Sequence, residues 1–344
     1  MKSTVRSLRR SKAPKSKSVE LSTCEGALRK DTNVDSEVAQ LEDSGETEDT
    51  NGVNSATQNS FFPSDLPFQS WSGAQGNQSW AVINADALEA LTVLKTEVAD
   101  CIVTSPPYFW QRDYGSSRQS GHEATVEEYV GGLVAVFREA KRVLRKSGLL
   151  FLVLGDTYYS GRGQPQGRDP KQVRRAFSRN KLRAVDDSGL GFPRKSLIGI
   201  PWRVALALQS EGWRLRSAIV WQKPRALAEP NVRDRPWGSS EFVFMLARSE
   251  KYFFDRAGLG GDEDVWNIPA PRSQRAYPHA ALFPEALVER CLACGCPPGG
   301  TVLDPYVGSG TTMLVALRRG RSAIGIDINE SYCEMSLQRV TTPG

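Results

Sequence analysis

The chain has 344 residues, 40% hydrophobic and 24% charged, with a net charge of +5, which suits a packed core over most of its length. No apolar run reaches the ~20 residues of a membrane helix. The basic, polar start Met1–Ser18 has no apolar block behind it, so neither a membrane partner nor secretion is expected.

Residues 1–77 form a polar segment without apolar period, expected to be disordered and dispensable for chemistry. It is basic first (Lys2, Arg6, Arg9, Arg10) and acidic later (Asp35, Glu37, Glu42, Asp43). Such a basic tail is a nuclear address if the chain is eukaryotic, a nucleic-acid tether, or a solvated tail with neither role. Without a nuclear setting the expected location is cytoplasmic. From Trp80 the texture changes to short apolar runs alternating with helical periods, which predicts an α/β fold: an open, mostly parallel sheet with helices on both faces. Seven strands are read at Ala81–Asn84, Ala99–Thr104, Leu149–Leu154, Arg216–Trp221, Glu241–Ala247, Thr301–Asp304 and Ser322–Ile328. Helices fit Ala87–Leu94, Val126–Leu144, Lys195–Glu211, Pro284–Ala293 and Thr311–Arg319. Gly148, Gly212 and Gly320 are placed to cap three of them. Residues 78–344 are thus one catalytic-sized domain. Its segment 161–195 breaks the alternation with ten cations against three acids, and a loop of that length is usually functional or disordered. Cys291, Cys294 and Cys296 lie in an amphipathic stretch, and the chain has only two histidines, His122 and His279, so no metal site is expected.

Two constellations carry chemistry. Asp304-Pro-Tyr306-Val-Gly308-Ser309-Gly310-Thr311-Thr312 follows an apolar strand and opens a helix. Its glycines allow close backbone approach to a ligand, and the helix start supplies free N–H groups. Asp327 ends the next strand, 23 residues after Asp304, where an acid can hold a ribose diol. The third glycine of a nicotinamide-binding turn is missing, as is the lysine of a phosphate loop. This much reads as a nucleoside cofactor on a Rossmann-like sheet.

The second constellation is Thr104-Ser105-Pro106-Pro107-Tyr108 at the end of a strand. Two prolines fix an extended backbone and remove two donors, leaving neighbouring carbonyls as acceptors. An exocyclic amine is a poor nucleophile because its lone pair is conjugated with its ring. Ser105 and a backbone carbonyl can accept its two N–H bonds and draw the nitrogen toward tetrahedral geometry, while Tyr108 stacks on the base.

These motifs resemble the amino-methyltransferases of DNA, in which Ser-Pro-Pro-Tyr marks the N4-cytosine enzymes and Asp-Pro-Pro-Tyr the usual N6-adenine form. The resemblance covers about residues 78–340. It includes Asp86 in Asn-Ala-Asp-Ala-Leu, Arg142-Val-Leu with Gly148, Trp221-Gln-Lys-Pro224, Ser240-Glu241, Tyr252-Phe-Phe-Asp255 and His279-Ala-Ala-Leu-Phe283-Pro284. Tyr306 stands where the family usually has phenylalanine and Asp327 where glutamate is common. The catalytic motif precedes the cofactor loop, which resembles the circularly permuted β arrangement. The resemblance implies a Rossmann-like methyltransferase fold and S-adenosyl-L-methionine as cofactor. It implies that Asp304 to Thr312 cradle the methionine part, with Tyr306 near the sulfonium. Asp327 would bind the ribose and Asp86 the adenine amine, Thr104 would lie beside the cofactor, and Phe283 and Pro284 would close the pocket. Plain core packing is the alternative for Phe283 and Tyr306.

The implied partner is DNA, with the target base flipped into the pocket. Arg162, Arg168, Lys171, Arg174, Arg175, Arg179, Lys181 and Arg183 in the basic loop, and Arg233 and Arg235 in the recognition segment 223–278, are the expected DNA-facing cations; a solvated charged face is the alternative. Site-specific cytosine-N4 methylation is the reading, with N6-adenine or RNA methylation as the second and a catalytically silent DNA-binding module as the reading from another class. Oligomeric state is left open.

Overall fold

A computed structural model describes residues 61–62, 66–114, 116, 118–164, 183–224, 232–261, 263–270 and 284–342. Among these residues nine strands form one sheet: β1 (Gln69–Gln75), β2 (Gln78–Asn84), β3 (Ala99–Thr104), β4 (Leu144–Leu154), β5 (Arg214–Gln222), β6 (Ser240–Ala247), β7 (Val265–Asn267), β8 (Thr301–Asp304) and β9 (Ser322–Asp327). Their spatial order is β1-β2-β9-β8-β3-β4-β6-β5-β7. Strands β2, β9, β8, β3 and β4 run parallel, so their carboxyl ends share one edge. β6 is antiparallel to both β4 and β5.

The helices are α1 (Ala87–Val93), α2 (Val126–Val143), α3 (Ile200–Ser210), α4 (Glu285–Gly295), α5 (Thr311–Arg318) and α6 (Glu330–Thr341). Alternation along the strands splits the core into two layers: Ala81 and Ile83 of β2 pack with α1, α2 and α3, while Trp80 and Val82 pack with α4, α5 and α6. The longest helix, α2, begins with a capping box between Thr125 and Glu128 and carries Lys141 and Arg142 in its last turn, both favourable to the helix ends. Cys291, Cys294 and Cys296 are buried in the second layer, and burial pushes the Cys291 thiol up. Among the described residues no helix is long and apolar enough to cross a membrane.

Several expectations are corrected. Among the described residues the sheet has nine strands where seven were read. β1 lies inside the segment expected to be disordered, and Phe61 and Phe62 are buried in the first core layer. Gly76-Asn77 joins β1 to β2 as a two-residue hairpin, with Gln75 paired to Gln78 and Gly76 at φ 59°, a turn that needs positive φ. Trp80 lies so close over Gly73 that a Cβ there would meet its ring at 2.6 Å. β7 has three residues, too few to express a period. α6 escaped notice because two of its buried positions are Cys333 and Ser336. α3 begins at Ile200 and not at Lys195, because Gly199 adopts the left-handed conformation ahead of Pro201. Gly212 and Gly320 sit at positive φ as expected, whereas Gly148 lies within β4, which starts directly at the end of α2.

A chain beginning at residue 76 loses β1 and both phenylalanines, each worth about 2 kcal/mol when buried. It is expected to melt about 5 °C or more below a chain beginning at residue 60. Equal melting temperatures of the two truncations would remove β1 from the folded unit.

Candidate active site

The parallel strands bring four distant segments to one edge. Asp86 follows β2, Asp327 ends β9, Asp304 ends β8, and Ser105 follows β3. Because β3 pairs directly with β8, Thr104 stands beside Asp304 and its Oγ1 donates to the Asp304 carboxylate at 2.6 Å. Ligands bind at such carboxyl edges in open α/β sheets. One cleft of about 1170 Å³, including its open mouth, is lined by Ser105, Pro106, Pro107 and Tyr108 on one side. Asp86, Asp304, Tyr306, Gly308, Ser309, Thr311, Thr312 and Asp327 line the other. Thr104, Gly310 and Pro284 are not in that lining: Thr104 and Gly310 support it from behind, and Pro284 is buried at the start of α4. Among the described residues Pro284 is thus placed at the start of α4 and not in the lining. Phe283 lies outside the described residues.

The turn after β8 is built by its backbone. Gly308 and Gly310 have φ of 51° and 78°, which favours glycine. Gly310 also packs on Ser336 so closely that a Cβ would lie 2.9 Å from it. Asp327 accepts from Gly308 N and Asn329 N, both at 2.9 Å. Asp304 accepts from Tyr306 N at 3.1 Å as well as from Thr104. Arg339 of α6 braces the turn by donating to the Ser309 carbonyl at 2.9 Å and to Thr311 Oγ1 at 3.0 Å. Burial pushes the carboxyls of Asp304 and Asp327 up to about 6 each. Carboxyls desolvated in this way are favoured in their ionised form by nearby positive charge or hydroxyl donors. Asp86 caps α1, its Oδ1 accepting from Leu88 N at 2.9 Å and Glu89 N at 3.3 Å. Tyr306 is half-buried, and burial pushes its hydroxyl up.

On the other wall the Ser105 hydroxyl donates to the Tyr108 hydroxyl at 3.2 Å. Tyr108 donates to Glu241 Oε2 at 2.9 Å, and Lys223 is paired with Glu241. Burial first, and Glu241 second, push the Tyr108 hydroxyl well above its ordinary range. Gly155, past the end of β4, makes room for this ring: a Cβ there would meet Tyr108 at 2.6 Å. The Pro107 carbonyl, expected as a free acceptor, takes the Tyr129 hydroxyl at 2.9 Å. The Pro106 carbonyl receives no hydrogen bond among the described residues.

Sequence reasoning missed Glu241 as a site residue, and read Lys223 as the first residue of the recognition segment 223–278 although it lines the cleft. It also missed Arg112, Gln119 and Tyr332 in the lining. Arg112 and Gln119 follow the Ser-Pro-Pro-Tyr segment within a dozen positions, which was the available signal; Tyr332 carried none.

Of the expected DNA-facing cations, Arg162 and Arg233 are exposed. Arg235 stacks its guanidinium on the Tyr158 ring at 3.9 Å. Arg183 is corrected: it turns inward to the buried Asp186 at 2.6 Å and braces the Trp110 carbonyl at 3.4 Å. Arg168, Lys171, Arg174, Arg175, Arg179 and Lys181 lie outside the described residues.

The N6_N4_Mtase family model, described as DNA methylase, matches residues 99–338. The type II methyltransferase M.SmaI of Serratia marcescens is 40% identical over 276 residues, covering 76% of this chain and 91% of that protein. Among solved structures, the PvuII DNA methyltransferase (cytosine-N4-specific) aligns with a TM-score of 0.58 at 21% identity, over 77% of this chain and 87% of that one. The putative DNA modification methylase TTHA0409 of Thermus thermophilus, complexed with S-adenosyl-L-methionine, aligns with a TM-score of 0.50 at 22% identity, over 74% and 92%. These two share the fold, a Rossmann-like sheet flanked by helices. With the match spanning both walls of the cleft, the chain belongs to the N6_N4_Mtase family of DNA methylases.

Proposed function

We propose that this DNA methylase transfers the methyl group of S-adenosylmethionine to the N4 amine of cytosine, with the base turned out of the duplex into the cleft. The observation that carries this reading is the sharing of one cleft by Ser105-Pro106-Pro107-Tyr108 and the acid-bearing turn Asp304–Thr312. The donor set fits the cofactor. S-adenosylmethionine carries a sulfonium, an ammonium and a ribose diol, and the buried Asp304 and the half-buried Asp327 line the same cleft. Asp327 would hold the ribose hydroxyls, Asp304 and the turn the methionine part, and Asp86 the adenine amine through the oxygen that does not cap α1.

When bound, the cofactor supplies an electrophilic methyl group on a positively charged sulfur. The protein's part is orientation. Ser105 Oγ and the Pro106 carbonyl each accept one N–H of the amine and hold its lone pair out of the plane of the ring. With Pro107 occupied by Tyr129, the Pro106 carbonyl is the backbone acceptor. Tyr108 offers a ring to the base. A neutral serine in place of aspartate supports cytosine as the target, as does the cytosine-N4-specific description of the PvuII enzyme. The β3 motif precedes the β8 turn in the chain, which supports the permuted β arrangement. Arg162 and Arg233 follow β4 and β5 in the chain and are exposed, and these are assigned to phosphate contact.

The test is direct. DNA treated with the protein and cofactor, then digested to nucleosides, is expected to yield N4-methyldeoxycytidine by mass and chromatography. N6-methyldeoxyadenosine as the product would overturn the cytosine assignment.

A further inference from the structure

A chain of hydrogen bonds leads away from Ser105. Ser105 Oγ lies 3.2 Å from the Tyr108 hydroxyl, which lies 2.9 Å from Glu241 Oε2. Glu241 Oε1 accepts from the Lys223 ammonium. The direction of this chain is fixed at its far end. A carboxylate paired with an ammonium only accepts. Tyr108 therefore commits its one proton to Glu241 and keeps its oxygen as an acceptor. Ser105 donates to that oxygen, which leaves its lone pairs as acceptors on a residue that lines the cleft.

We infer that Glu241 is a positioning residue of the methyl transfer: acting through Tyr108, it sets the Ser105 hydroxyl as an acceptor toward the amine and gives the amine's surplus proton a way out. The inference rests on the amine-methylation reading above. Serine is a weak base, and the motif has no carboxylate of its own, so the acid–base function must come from elsewhere. The antiparallel pairing of β5 with β6 places Glu241 opposite Trp221 and brings both Glu241 and Lys223 to the edge where the parallel strands end.

The proton count closes. The nitrogen lone pair forms the bond to the methyl carbon, and the carbon–sulfur bond breaks with its electrons left on sulfur. The nitrogen then holds one proton too many. It passes that proton to Ser105 Oγ as Ser105 passes its own to Tyr108 and Tyr108 passes its own to Glu241. A neutral amine and a neutral carboxylic acid result. The Glu241 side chain is 21% exposed, so it can return the proton to water.

Glu241→Gln keeps size and removes the obligate acceptor, because an amide can donate to Tyr108 and reverse the chain. Its single-turnover rate is expected to fall about 100-fold, the usual scale for acid–base assistance. Affinities for cofactor and DNA should stay within about twofold, since binding contacts are untouched. Tyr108→Phe cuts the same chain at its middle while keeping the ring. The double variant should be no slower than the slower single variant, as expected of residues acting as one unit. A second readout needs no turnover. In protein labelled with 13C at tyrosine Cζ, the Tyr108 signal, identified by its loss in Tyr108→Phe, should move in Glu241→Gln.

A wild-type single-turnover rate in Glu241→Gln, multiplicative losses in the double variant, or an unmoved Tyr108 signal would overturn the inference. Identifying the methylated nucleoside in the same reactions keeps the two readings apart. An adenine product removes the cytosine assignment and leaves the Glu241 comparison standing.

Discussion

Ser105→Ala should bind cofactor and DNA nearly as the parent protein does and methylate about 100-fold more slowly or worse. Ser105 lines the same cleft as Asp304 and Asp327, and among the described residues its hydroxyl hydrogen-bonds to Tyr108 and not to the turn Asp304–Thr312. Its acceptor role matters most as the nitrogen leaves the plane of its ring. Losing one preorganised partner of that kind typically costs on the order of a hundredfold in rate. The loss should fall on kcat and leave KM in place, as for an interaction made mainly in the transition state. Single-turnover methylation by Ser105→Ala at the parental rate would leave the Pro106 carbonyl and Tyr108 to carry the chemistry.

Asp304→Ala should weaken S-adenosylmethionine binding by about 100-fold, on the scale of lost hydrogen bonds and charge contacts to a buried acid. The substitution also leaves the Thr104 hydroxyl without its 2.6 Å acceptor. Asp304→Asn, which keeps the shape, separates charge from packing, and calorimetry measures both variants. The acids also predict a pH dependence. Burial raises the carboxyls of Asp304 and Asp327 to about 6, above the ordinary carboxyl range of the unfolded chain. In the cofactor-free protein these groups therefore bind protons more tightly folded than unfolded. Their contribution to stability is full below about pH 4 and is lost as pH rises through about 6. The cofactor brings positive charge and prefers both acids ionised, so its affinity should fall as pH drops through about 6. The rise in melting temperature caused by the cofactor should accordingly be larger at pH 7 than at pH 5. A rise independent of pH across that range would separate these carboxyls from cofactor binding.

Much of the site was legible because its chemistry is local. Ser105-Pro106-Pro107-Tyr108 and Asp304–Thr312 are contiguous segments whose prolines and glycines serve backbone geometry within a few residues. Asp327 was legible because it ends a strand whose apolar run is easy to see. Arg183 was misread because its charge suggested a phosphate, while its partner, the buried Asp186 three positions on, is visible only once the loop has folded. The start of the domain was misplaced because β1 is a polar edge strand; only Gly76-Asn77 marked the hairpin.

The sequence by itself determined the strand and helix alternation, the two motifs and the acids at strand ends, since each follows from steric and hydrophobic preferences of neighbouring residues. Only the tertiary structure decided that β3 lies beside β8, so that Thr104 reaches Asp304 across 200 positions, and that β6 runs antiparallel, so that its first residues and not its last face the cleft. Tyr108 and Glu241 are 133 positions apart, and no local preference encodes their meeting. Strand order and direction are set by burying both faces of one sheet at once, a global condition that no single segment can express.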